Sequence, residues 1–181
     1  TGVGSGIIID GKVVYGHDGF AGELGHTIAI REGRQCGCGR KGCLETYTSA
    51  TGVARTAREI LETTTKESLL RNIPKDDITS KDVFDAAMEG DAVAKEIFES
   101  TGKILGQSLA DFVAFSAPEA IVLFGGLAKA GDLILKPVVE NMENNLLSIW
   151  HGKGTVLFSE LKEAAAAVLG PSALSREIRS Y

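Results

Sequence analysis

The chain has 181 residues, 44% hydrophobic and 24% charged, and its 24 Asp and Glu against 19 Lys and Arg leave a net charge of −5. That is enough for one globular domain with a substantial core. The scattered basic residues argue against a nucleic-acid partner through this chain, since phosphate neutralisation needs clustered Lys and Arg. No apolar run reaches the roughly 20 residues of a membrane-spanning helix.

Thr1-Gly2-Val3-Gly4-Ser5-Gly6 begins abruptly, with neither a methionine nor a basic-then-apolar leader, and reads as the interior of a longer protein. A processed start is the alternative. Gly6 to Asp10, then Gly11, then Lys12 to Tyr15 predict a hairpin turning at Asp10-Gly11. Gly16 to Gly25 is a glycine-rich loop of the kind that brings backbone close to a ligand. His26 to Arg31 alternates apolar Ile28 and Ile30 with Thr27 and Ala29, a third β-like run.

Beyond the cysteines the pattern turns helical over 44–61. Residues 66–80, polar and carrying Pro74, read as a connection, and Ser80 as the N-cap of a helix over 81–88. Residues 92–115 give the strongest helix, with Ile97, Phe98, Ile104, Leu105, Leu109, Phe112 and Val113 on a broad apolar face. Ala120 to Phe124 is a buried-strand candidate ended by Gly125-Gly126. A helix follows over 132–147, with Pro137 suited to its first turn, then a strand over 155–158. Residues 161–169 and 172–178 read as helices parted by Gly170-Pro171. Hairpin strands followed by helices alternating with single strands predict an α/β domain, a mixed sheet flanked by helices.

All three cysteines fall between positions 36 and 43, an odd number crowded into one loop. A secreted disulfide framework uses even numbers spread along the chain, so this cluster points to metal binding in a reducing compartment, the cytoplasm. Cys36-Gly37-Cys38-Gly39-Arg40-Lys41-Gly42-Cys43 is C-x-C-x4-C, and its glycines permit the tight curl a tetrahedral zinc ion demands. Three thiolates leave one position, for which His26 is the natural ligand and His17 the competitor. Cys3His is a closed set, so the zinc is expected to be structural. Buried free thiols and an iron–sulfur cluster are the rival readings, the latter poorly matched by C-x-C.

Glu23 and Glu45 flank this loop, two carboxylates able to accept paired hydrogen bonds from neighbouring sugar hydroxyls. Taken alone, Glu23 serves equally well as a solvated loop residue, and Glu45 as an early-helix acid favoured by the macrodipole.

Gly22-Glu23-Leu24-Gly25-His26 followed by Cys-Gly-Cys-Gly-Arg-Lys-Gly-Cys-Leu-Glu45 resembles the signature of the ROK family (repressors, open reading frames and kinases). Gly2-Val3-Gly4-Ser5-Gly6 and Phe124-Gly125-Gly126-Leu127 sit where that family would place them. The resemblance implies an actin-like ATPase (ribonuclease H-like) domain with a zinc loop over 26–45. The whole chain, 1–181, would be the larger C-terminal domain, with the N-terminal domain missing. It implies Glu23, His26 and Glu45 as sugar contacts, with His26 also binding zinc. Thr1, Gly2 and Gly4 would form a phosphate-binding segment, and Gly125 and Gly126 would let adenosine lie against bare backbone.

The activity implied is transfer of a phosphoryl group from Mg·ATP to the 6-hydroxyl of a hexose, glucose first. The catalytic aspartate would lie upstream of Thr1. No residue of this chain replaces it, Asp10 and Asp18 being in the wrong segments, so this chain alone is expected to be inactive. The family's sugar-responsive transcriptional repressors are the alternative, and a homodimer is the assembly the resemblance implies.

Overall fold

The computed structural model describes residues 2–161. Among these residues, four short strands form two pairs. β1 (Ile8–Ile9) and β2 (Lys12–Val13) are antiparallel, with Ile8 opposite Val13 and Ile9 opposite Lys12. Asp10 and Gly11 have φ of 52° and 75°, the two positive values of a type I′ turn, whose twist matches that of the strands it joins. β3 (Ile121–Leu123) and β4 (Val156–Phe158) are parallel, paired Ile121 to Val156 through Leu123 to Phe158.

Among the described residues, five α-helices build the core. α1 (Glu45–Thr48) and α2 (Ala50–Thr63) occupy the stretch expected to be one helix. The break is Ser49, extended at φ −88° and ψ 169°, whose side chain accepts from the Gly52 amide and so starts α2 as its N-cap. α3 (Ser80–Met88) begins one residue earlier than expected. Its cap is Thr79, joined with Asp82 in a reciprocal capping box, and Ser80 is the first helical residue. The 66–80 connection holds two short 3-10 turns, Leu69–Asn72 and Lys75–Asp77, and is anchored by buried Leu70 and Ile78.

α4 (Ala92–Ser116) is capped by Asp91 and ends at Ala117 in the left-handed conformation. It packs along α5 (Asp132–Asn145), where Pro137 lies in the second turn and not the first. There Pro137 is a packing residue: a Cβ on Gly102 of α4 would sit 2.6 Å from its Cγ, so the helices approach at a glycine. Val53, Val83, Val93, Ile97, Phe98, Ile134, Val138 and Met142 fill the space between α2, α3, α4 and α5. Each such side chain contributes about 1.5–3 kcal/mol through burial.

The third β-like run does not form a strand. The chain makes a 3-10 turn over Leu24–His26, and only Ile28 forms a bridge, to Cys43. The amides of Ala29 and Ile30 both donate to the Gly42 carbonyl, at 2.9 and 3.2 Å. Two donors converging on one acceptor curl the segment around the cysteine loop instead of laying out a ladder. Thr1 and the helices expected within 161–178, Leu161 apart, lie outside the described residues.

Candidate metal centre and flanking carboxylates

The cysteine loop is closed by its own backbone. The Cys36 amide donates to the Arg40 carbonyl at 2.9 Å, Gly39 to Cys36 at 3.1 Å, and Gly42 to Arg34 at 2.8 Å. Gly42 has φ 79°, and a side chain there would also collide with the Ile30 carbonyl oxygen, so the position requires glycine. The Leu44 amide donates to Thr27 at 2.9 Å, which fixes the end of the loop beside His26.

This folding brings together the four residues expected from the sequence. One ligand atom from each of His26, Cys36, Cys38 and Cys43 lies within 4.8 Å of all the others, and this is the one such metal-competent group among the described residues. Cys36 Sγ is 3.7 Å from His26 Nδ1, and Cys38 Sγ is 3.6 Å from Cys43 Sγ. A tetrahedron with metal–sulfur bonds of about 2.3 Å has edges of about 3.8 Å, so the donor set fits zinc in size and chemistry. Cys36 and Cys43 are buried and Cys38 is exposed.

As free thiols the three would be poor ligands in part. For Cys36 the Cys38 backbone amide pulls the pKa down, but burial and hydrogen bonding to Glu45 prevail and push it up to about 12. Burial also raises Cys43. Cys38, which accepts from the Arg40 amide, is lowered to about 7. A divalent cation at the centre outweighs such shifts, because coordination deprotonates a thiol outright.

The other histidines stand apart. His17 is exposed and lies 3.7 Å from its neighbour Asp18, and His151 Nε2 lies 3.1 Å from the Leu146 carbonyl oxygen.

Two carboxylates bracket His26. Glu23 Oε2 lies 3.9 Å from Nε2, and Glu45 Oε1 lies 3.8 Å from Nδ1. Since Nδ1 is the nitrogen facing Cys36, metal binding there leaves Nε2 pointing to the Glu23 side. Glu45 Oε1 also accepts from the Cys36 thiol at 3.2 Å, and Oε2 accepts from the Val3 amide at 3.4 Å. The Gly2-Val3 segment therefore rests on Glu45; a Cβ at Gly2 would be 2.8 Å from Oε2. Gly4 has open space around it.

Gly125 and Gly126 sit at the carboxyl end of β3, where the chain enters a 3-10 turn over Gly126–Ala130. With Leu123, Phe124, Ala128, Lys129, Phe158, Ser159 and Leu161, Gly125 lines a cavity of about 450 Å³. Carboxyl ends of parallel strands are where open α/β sheets bind ligands. A second cavity, about 540 Å³, touches Gly2, Glu45, Ser49, Arg55 and Arg58.

Sequence reasoning missed Arg34. Its side chain, 9% exposed, reaches residues 12 to 25 positions away in the chain, and no local pattern announces such partners.

The chain matches the ROK family over residues 1–178. A glucokinase of Halalkalibacterium halodurans is 43% identical over 145 residues, which cover 79% of this chain and 44% of the relative. The DNA-binding transcriptional dual regulator NagC of Escherichia coli is 33% identical over 166 residues, covering 91% of this chain and 40% of the regulator. A crystal structure of a ROK family glucokinase from Streptomyces griseus, in complex with glucose and AMPPNP, aligns with a TM-score of 0.83 at 34% identity, covering 91% of this chain and 55% of that one. The chain spans about half the length of the curated glucokinases it matches. With a family match across nearly its whole length and a metal-competent His and Cys cluster at the centre of its motif, the chain belongs to the ROK family.

Proposed function

We propose that this chain is the larger, C-terminal domain of an ATP-dependent hexose kinase of actin-like ATPase (ribonuclease H-like) fold, with glucose the first candidate substrate and its 6-hydroxyl the phosphate acceptor. The observation that carries this reading is the placement of Glu23 and Glu45 on opposite sides of the His26 ring. Ionised carboxylates accept pairs of hydroxyl hydrogen bonds, and a ring held by one nitrogen leaves the other free for a third.

In this reading zinc, held by His26, Cys36, Cys38 and Cys43, is structural and supplies no Lewis acid, because the donor set is closed. Mg·ATP supplies the phosphoryl group. Glu23, His26 and Glu45 hold the sugar ring so that one hydroxyl is presented for in-line attack, a positioning role. Gly2 and Gly4, with Thr1, offer backbone amides to phosphate, and the cavity lined by Gly125, next to Gly126 in the chain, receives adenosine. The hydroxyl proton passes to an aspartate supplied from outside this chain as the γ-phosphoryl group is transferred and ADP leaves.

Clustered thiols suit a cytoplasmic location, and no helix among the described residues is long and apolar enough to cross a membrane. A homodimer is the assembly proposed.

The test is a phosphorylation assay of the full-length protein against hexoses and hexosamines, with Glu23→Ala as control and zinc content measured in both. Turnover of one sugar, lost in the control with zinc retained, supports the kinase. Sugar binding with zinc present but no turnover overturns it. The second reading is then a sugar-responsive repressor, favoured by the 33% identity to NagC over 91% of this chain.

A further inference from the structure

We propose that Arg34 is a positioning residue for Glu45: one guanidinium sets where the Glu45 carboxylate stands relative to His26 and Cys36. Its consequence for sugar affinity rests on the kinase reading above; its consequence for the metal centre does not.

Arg34 lies at the mouth of the cysteine loop. Its Nη1 donates to the Thr46 carbonyl at 2.7 Å and to the Gly52 carbonyl at 3.3 Å. Nη2 donates to Thr56 Oγ1 at 2.9 Å and to Glu59 Oε2 at 2.6 Å, and Nε donates to the same oxygen at 3.1 Å. The guanidinium carbon stands 4.4 Å from the centre of the Tyr47 ring, whose hydroxyl accepts from the Arg34 amide at 2.8 Å. A planar group with fixed donors is thus engaged on every side, which a lysine ammonium cannot reproduce.

The geometry points to Glu45 because of what Thr46 is. α1 is a single turn, Glu45–Thr48, interrupted by extended Ser49. The last carbonyls of a helix lack intrahelical donors, and Arg34 supplies one to the residue adjoining Glu45. A four-residue helix has no stability of its own, so its direction is set by outside contacts. Through Glu59 and Thr56 the same guanidinium grips α2, fixing the angle at which α1 leaves it. That angle determines the reach of Glu45 toward Cys36 Sγ, 3.2 Å away, and His26 Nδ1, 3.8 Å away. Arg34 touches neither of those atoms and acts only through α1.

The experiment uses the full-length protein loaded with cobalt(II), whose thiolate charge-transfer band reports on the surroundings of the cysteine sulfurs, together with equilibrium glucose binding. Glu45→Gln should shift the band. Arg34→Met should shift it in the same direction, and the double variant should show no further shift. Glucose affinity in Arg34→Met should fall about tenfold, as for other residues that orient a site from behind, with one metal per chain retained. Arg34→Lys should recover only part. Glu59→Gln, which loosens the guanidinium from the far side, gives a smaller shift of the same sign should Arg34→Met fail to fold. Additive band shifts for Arg34→Met and Glu45→Gln, or an unchanged band in Arg34→Met and Glu59→Gln, would overturn the proposal. If the parent protein binds no sugar the kinase reading falls, while the cobalt band still decides the role of Arg34.

Discussion

The sulfurs of Cys38 and Cys43 lie 3.6 Å apart with no disulfide between them. Free thiols have no reason to converge with a third thiol and an imidazole nitrogen; a cation does. Metal analysis of purified protein should therefore find one zinc per chain. Removing it with a chelator should abolish cooperative unfolding of the loop, since structural zinc contributes on the order of 10 kcal/mol of apparent binding energy to folding. Cys43→Ser, at a fully buried position, should leave less folded protein than Cys38→Ser at the exposed one, as read by circular dichroism and zinc content.

Glu23 is exposed and outside the ligand set. Glu23→Gln should keep zinc and thermal midpoint within error of the parent while weakening sugar binding by at least tenfold, about 1.4 kcal/mol. Calorimetric titration with glucose measures this. Unchanged affinity would remove Glu23 from the sugar site.

Asp91 joins two elements with one buried carboxylate. Oδ1 accepts from the Ala94 amide at 2.9 Å, and Oδ2 accepts from Ser68 Oγ at 2.8 Å and the Leu69 amide at 2.6 Å. Burial acts to raise its pKa, but these hydrogen bonds outweigh it and hold the group below the ordinary carboxylate value of 3.8. A depressed folded pKa means that the unfolded chain takes up the proton first as pH falls. The contribution is complete above the unfolded value and is lost as pH drops through the folded one. Asp91→Ala should cost about 2 kcal/mol at pH 7, and the gap between variant and parent in urea unfolding should narrow in strong acid.

Gly106 faces α5 so closely that an added Cβ would collide with the Val138 carbonyl oxygen and sit 2.8 Å from the Met142 amide nitrogen. Alanine favours helix over glycine by about 1 kcal/mol, yet overpacking costs typically about 1–3 kcal/mol, and here the obstacle is backbone. Gly106→Ala should lower the thermal midpoint. Gly4→Ala, in open space, should leave it nearly unchanged.

The features legible from residue order are those whose causes are close together in the chain. The C-x-C-x4-C spacing lies within eight positions of sequence, Asp10-Gly11 forms its turn from two residues, and α4 carries its apolar face along one helix. Few other histidines compete with His26 for a place beside the cysteines, and the fold brings it within 4.8 Å of all three.

Other features were decided between segments distant along the chain. Residues 26–31 have the alternation of a strand, but the Gly42 carbonyl, 12 and 13 positions on, takes both the Ile30 and Ala29 amides and curls them away from any ladder. Ser49 looks like an interior helical residue until its side chain turns to the Gly52 amide and divides α1 from α2. Arg34 reads as one more surface cation, and it becomes a half-buried hub only once Thr46, Gly52, Thr56 and Glu59 are folded around it. Local spacing determines which donors are available and which turns the backbone can make. Which donor meets which acceptor depends on segments that come together only on folding, and hydrogen-bond energy falls too steeply with distance and angle for spacing alone to say.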